Sequence, residues 1–203
     1  MEAGNRGAFN RGLLGSGPMH PHLASVLDAL DDARGLLKRA ADAVPTHRRS
    51  ERPAPQRWST AEVLEHLSLA EGGFTSWITA GVAQARATGL GAEAAERAAL
   101  PDRVRTILAD RVNRRNAPDR VQPTGGLTAD AAWQALDASE QRLRTLLGEA
   151  DGLALNDVIV PHPSLGDFNV YQWIELIASH RRRHAAQIEE ILALLTGASA
   201  PSA

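Results

Sequence analysis

The sequence predicts an all-α protein, a four-helix bundle carrying one additional short helix. Three observations support this. Four long stretches repeat their apolar residues at spacings of three and four, which is one face of an α-helix. Good N-cap residues stand in front of three of them: Ser59, Thr128 and Asn169. No strongly alternating pattern competes as a strand.

In chain order, residues 1–19 are rich in Gly, Asn and Arg without periodicity and read as a disordered extension. Translation could start at Met1 or at Met19. The first helix is expected over 22–44, with Leu23, Val26, Leu27, Leu30, Leu37, Ala41 and Val44 as its stripe and Pro45 as its stop. His20 and His22 at its start read as solvated terminal residues. A polar loop with Pro53 and Pro55 follows. Ser59 and Glu62 then form a capping box for a helix from about 60 to about 80. Its stripe is Val63, Leu67, Ala70, Phe74, Trp77 and Ile78, with His66 beside Leu67. Residues 81–99, rich in Ala and Gly, read as a weak connection. A short helix is expected over 102–114, after Pro101. Residues 115–127 hold two prolines and two glycines, a long crossover between the second and third bundle helices. The third bundle helix spans 129–149, with Ala132, Leu136, Ser139, Leu143, Leu146 and Leu147 inward. Residues 156–168 read as a loop with a Pro-His-Pro turn. The last helix, 171–195, buries Trp173, Ile174, Ile177, Ile188, Ile191, Leu192 and Leu195, with Val170 just before it. The domain is thus expected over 20–196, followed by a frayed tail, 197–203.

At 203 residues, 43% hydrophobic and 23% charged, with a net charge of −2, the chain suits one globular domain. That charge gives no reason to expect nucleic acid or an anionic membrane as partner. No run of apolar residues is long enough to span a bilayer, and the N-terminus lacks the apolar core of a signal peptide, so a cytoplasmic location is expected. There is no cysteine. Disulfides, a thiolate nucleophile and cysteine-held zinc are excluded; any metal must sit on His, Asp or Glu, and any thiol must arrive as a substrate.

Two histidines, His180 and His184, lie on the apolar stripe of the last helix. At i and i+4 their rings stand one above the other and can reach one point. Imidazoles aimed among isoleucines need a partner, because a buried polar group without one is costly. His66, inward on the second helix, supplies a third nitrogen. Three neutral imidazoles suit Zn²⁺, Ni²⁺ or Fe²⁺ and leave a coordination position open, as catalytic sites do. Glu62, Glu71 and Gln187 are candidate hydrogen-bond partners for the ligating rings. His162 either lines the site mouth, as substrate contact or proton shuttle, or only orders its loop. Of the Arg181–Arg183 run, Arg183 is the member expected to turn inward or pair with a carboxylate. Trp58, Trp77, Trp133 and Trp173 read as core residues, and Tyr171 as either core or site.

Three stretches resemble the DinB-like (DinB/YfiT-like metalloenzyme) family: W-S-T-A-E-V-L-E-H-L at Trp58–Leu67, R-x-N-A-P-D-R-V-Q-P-T-G at Arg114–Gly125, and His162–Ile188 with its H-x₃-H. The resemblance runs from about 22 to 195. It implies up-down-down-up connectivity and a metal site on His66, His180 and His184. It also implies a homodimer and thiol-dependent transferase or isomerase chemistry with a low-molecular-weight thiol as cosubstrate. The leading expectation is a metal-dependent S-transferase acting on small electrophiles. One alternative is a metal-dependent hydrolase using metal-held hydroxide. Another is a non-enzymatic stress-response or binding protein.

Overall fold

The computed structural model describes residues 18–93, 96–113 and 116–197. Five helices form: α1 (Pro21–Ala43), α2 (Thr60–Ala87), α3 (Asp102–Ala109), α4 (Ala129–Glu149) and α5 (Val170–Thr196). Between α4 and α5 lies an antiparallel hairpin of β1 (Ile159–His162) and β2 (Gly166–Asn169). The segments read as terminal extensions lie almost wholly outside the described residues.

The helix starts follow the sequence. Ser59 and Glu62 exchange the two bonds of a capping box on α2. Thr128 caps α4, and Asn169 with Gln172 builds a second capping box on α5. Each cap supplies partners to orphan N–H groups at the start of its helix.

Side-chain pairings give the connectivity. His22 meets Tyr171, Arg182 donates to the Ala29 carbonyl, and Arg48 donates to that of Leu195, so α1 and α5 run parallel. Glu65 meets Thr124 just before α4, Thr75 meets Ser139, and Arg86 meets the Glu149 carbonyl, so α2 and α4 are parallel too. Arg34 pairs with Asp137 and Arg144 with Asp31, which sets α4 antiparallel to α1. This is the up-down-down-up bundle. The crossover from α3 to α4 contains a short 3₁₀ turn, Asp119–Val121.

The core divides into two apolar clusters. One gathers Leu23, Leu30, Phe74, Ile78, Leu147, Trp173 and Ile177; the other gathers Leu37, Val63, Leu67, Leu136 and Ile188. A polar layer crosses the bundle between them. In it Arg181, only 1% exposed, donates to the carboxylates of Glu71 (2.6 Å) and Glu140 (2.7 Å).

Four expectations need correction. The stretch 156–168 is not a plain loop: residues 159–169 form a hairpin. Its strands have four residues each, too short to show an alternation, and β1 contains Pro161, which an edge strand tolerates. Helix α2 continues to Ala87 through Gly81, where a Cβ would lie 2.5 Å from Val160 Cγ2. That glycine therefore marks where the hairpin packs on α2, not a helix end. Helix α3 stops at Ala109, because Asp110 turns to an extended backbone and bonds Val112 N and Asn113 N through its carboxylate. The arginine that pairs inward is Arg181; the half-buried Arg183 donates to the carbonyls of Leu108 and Asp110.

Candidate metal centre

Helices α2 and α5 run antiparallel, so His66 in the first half of α2 faces the middle of α5. There it meets both members of the i, i+4 pair. His180 Nε2 lies 3.0 Å from His184 Nε2 and 3.4 Å from His66 Nε2. One ligand atom from each ring lies within 4.8 Å of the other two. His66 and His184 are buried; His180 is partly open.

Two of the rings have fixed tautomers. His66 Nδ1 lies 2.8 Å from the Val121 carbonyl, which only accepts, so Nδ1 carries the proton and Nε2 keeps its lone pair. His184 Nδ1 stands 2.8 Å from Gln187 Oε1, with the same result. Two lone pairs thus point toward His180 Nε2. The Nδ1 of His180 is buried without a hydrogen-bond partner.

Burial lowers the pKa of all three rings. At His66 the Val121 carbonyl works weakly against it. At His180 repulsion from any proton on His66 and from the Arg183 and Arg181 guanidiniums adds to burial, and at His184 repulsion from any proton on His180 or His66 does so. The rings are therefore neutral donors at neutral pH. The nearby carboxylates have other partners. Glu62 is taken by Arg52 and Ser59 N. Glu65 accepts from Thr124 N, Thr124 Oγ1 and Gly125 N. Glu71 is taken by Arg181. Of the three candidate partners for the rings, only Gln187 touches one.

Two of the three donor separations match those around a tetrahedral divalent ion, and the third pair lies within 4.8 Å. Nitrogens held tetrahedrally at about 2.0–2.1 Å from zinc stand ~3.3–3.4 Å apart, close to the separations of 3.0 and 3.4 Å seen here. Aromatic rings wall the cluster: Trp58 lies 5.0 Å from His66 and Phe74 6.1 Å from His180, centroid to centroid.

His162 stands outside the cluster. Its Nδ1 accepts the amides of Ser164 and Leu165, both at 3.2 Å, which orders the hairpin turn. Its ring packs on Trp173 and on Phe74, and Phe74 also touches His180, so one aromatic ring separates His162 from the site. His20 and His22 are not solvated ends: His20 N bonds Asp151, and His22 packs on Tyr171.

Sequence reasoning missed two features. The Val121 carbonyl is backbone and leaves no trace in residue types. The Arg181–Glu71–Glu140 network did leave one, since each member interrupts an apolar stripe of its helix (Ile177–Arg181–Ile188, Leu67–Glu71–Phe74, Leu136–Glu140–Leu147).

The chain is 25% identical over 143 residues to "Uncharacterized protein YuaE" of Bacillus subtilis (strain 168), covering 70% of this chain and 82% of that protein. A crystal structure described as TT2238, a four-helix bundle protein, aligns with a TM-score of 0.48 at 17% identity, covering 80% of this chain and 94% of that one. No helix among the described residues is long and apolar enough to cross a membrane. The family model of the DinB superfamily matches residues 29–188, a span that takes in most of the bundle and all three clustered histidines, and the chain belongs to that superfamily.

Proposed function

We propose that His66, His180 and His184 hold one divalent metal ion through their Nε2 atoms, and that the protein is a metal-dependent enzyme transferring a small thiol to an electrophile. One observation carries the reading: three converging imidazole nitrogens, two with lone pairs fixed toward the third, share one point that no neighbouring carboxylate neutralises. A bound divalent cation supplies the charge that stabilises a thiolate or hydroxide at neutral pH.

The chain's own residues do the rest. Val121 and Gln187 hold the His66 and His184 rings in the ligating tautomer. Trp58 and Phe74 limit water around the rings. His162 stands one ring away, across Phe74, on the hairpin. Transfer is preferred to hydrolysis because the carboxylates nearest His66 in sequence, Glu62 and Glu65, are already held by other donors and are not poised to take a proton from water. The lack of cysteine is consistent with a thiol that comes from the cosubstrate.

The test is a paired assay of zinc-, nickel- and iron-loaded protein. One arm conjugates a small thiol to chlorodinitrobenzene; the other hydrolyses nitrophenyl acetate. Conjugation that requires metal and is lost in His66→Ala supports transfer. Metal-dependent hydrolysis without conjugation favours the hydrolase, and neither activity in metal-loaded protein favours a binding role.

A further inference from the structure

A second polar concavity lies on the opposite side of α5. Residues 173, 177, 180 and 184 face α2 and the histidines; 175, 178, 179 and 182 point about half a turn away, by the 3.6-residue period. There, in the seam between α1 and α5, an open pocket of about 270 Å³ is flanked by Arg97, Ala99, Leu100 and Arg105. Its rim carries three guanidiniums, Arg97, Arg105 and Arg182, against one lining carboxylate, Glu175. Its floor is apolar, with Val26 and Ala178 both essentially buried.

The arginines come from three separate elements, and each is tethered through part of its fork. Glu175 accepts from Arg97, from Arg105 Nη2 (3.3 Å) and from Leu100 N (3.0 Å). Arg105 Nε donates to the Leu100 carbonyl at 2.9 Å. Arg182 Nη2 donates to the Ala29 carbonyl at 3.1 Å, and no carboxylate lies within ion-pair distance of it among the described residues. Asp102 approaches Arg105 only at 3.9 Å and is fully exposed. Tethering one edge of a guanidinium leaves its other N–H groups directed and lowers the entropy cost of binding.

From this we infer that the α1–α5 seam is an anion-binding site, separate from the histidine cluster, that takes a small phosphate monoester with a short apolar stem. The lining carries two positive charges in excess, offset only by the exposed Asp102 at 3.9 Å from Arg105, and this excess suits a phosphate dianion. Three guanidiniums arriving from three directions suit a tetrahedral group better than a planar carboxylate. The apolar floor receives the stem, and the volume, at the low end of the ~300–1,000 Å³ of small-molecule sites, restricts the ligand to a small one.

Calorimetric titration with phenyl phosphate tests this, with benzoate and benzyl alcohol as the carboxylate and neutral arms. The expected result is saturable binding of phenyl phosphate, weaker binding of benzoate and none of benzyl alcohol. Arg182→Ala, at an exposed position and with circular dichroism as the fold control, should weaken phenyl phosphate at least about tenfold; Arg182→Lys should weaken it less. His66→Ala should bind as the wild type does. No saturation by about 10 mM, a regime weaker than ~3 kcal/mol of binding, would overturn the site. So would unchanged affinity in Arg182→Ala, or loss in His66→Ala, which would place the anion at the histidines.

Discussion

His180 and Arg181 are consecutive residues of α5, and the chain answers their burial in opposite ways. Arg181 turns to the bundle centre and meets two carboxylates. Burial opposes its charge, but Glu71 and Glu140 outweigh that and hold the guanidinium firmly protonated. Burial also opposes the Glu140 carboxylate, yet Arg181 and Arg144 together keep its carboxyl below the usual range. At Glu71 burial wins and pushes the carboxyl up despite Arg181. His180 turns toward α2 and meets the His66 and His184 imidazoles and the Phe74 ring but no carboxylate, so burial and neighbouring positive charge drive its proton off. A buried polar group given its counter-charge inside the fold is a structural element. A group of neutral bases gathered without one could hold a cation, which is the role proposed for the histidines.

The comparison can be broken from either side. The largest effect is expected on the structural side. Arg181→Met leaves Glu71 buried without its cation and Glu140 with Arg144 and Arg34 alone, and should cost about 3–5 kcal/mol, read as a lowered urea midpoint. Adding Glu71→Gln should recover much of that loss; if it does not, the stranded Glu71 charge is not its main source. Next, Gly81→Ala drives a methyl against Val160 and should cost ~1–3 kcal/mol by overpacking, with hydrogen exchange rising in the hairpin at 159–169 before the bundle. Glu65→Ala acts on the other side. It releases the crossover at Thr124 and Gly125, and with it the Val121 carbonyl that orients His66. Metal affinity should fall ~10–100-fold with little change in helicity, measured by competition with a chromophoric chelator.

The smallest effect is a pH dependence at His162. Burial, assisted by Arg120, lowers its pKa from the ordinary 6.5. Well above 6.5 the ring is neutral folded or unfolded, and it contributes no pH dependence. As pH falls below that value the unfolded chain takes the proton first, so stability declines until the lowered folded value is reached. His66, His180 and His184 share this sign in metal-free protein. His162→Gln should therefore lessen, but not abolish, the loss of stability on acidification, seen in thermal melts at stepped pH.

Most of the bundle was legible because its helices are amphipathic and capped. Ser59, Thr128 and Asn169 fixed three starts to within a residue, and stripe positions such as Leu67, Leu136 and Ile188 are buried as read. The hairpin was not legible, since four-residue strands carry too little period and depend on Gly81 of α2 for a place to pack. The histidines could be read because i and i+4 spacing converts directly into geometry. What orients them could not, because the Val121 carbonyl and the Glu65 clamp on Thr124 arise only once the crossover lies against α2. Arg181 was within reach: its place on the stripe outranked the general expectation that one of three successive arginines turns inward.

The most direct test of the metal-receptor account is elemental analysis of purified, reconstituted protein, wild type beside His66→Ala, with circular dichroism as the fold control. The account predicts about one divalent ion per chain in the wild type, as expected for a three-ligand site, and its loss in the variant with helicity intact. A wild type that takes up no metal, or a variant that keeps the full complement, would contradict it and leave the histidines as a hydrogen-bonded layer of the core.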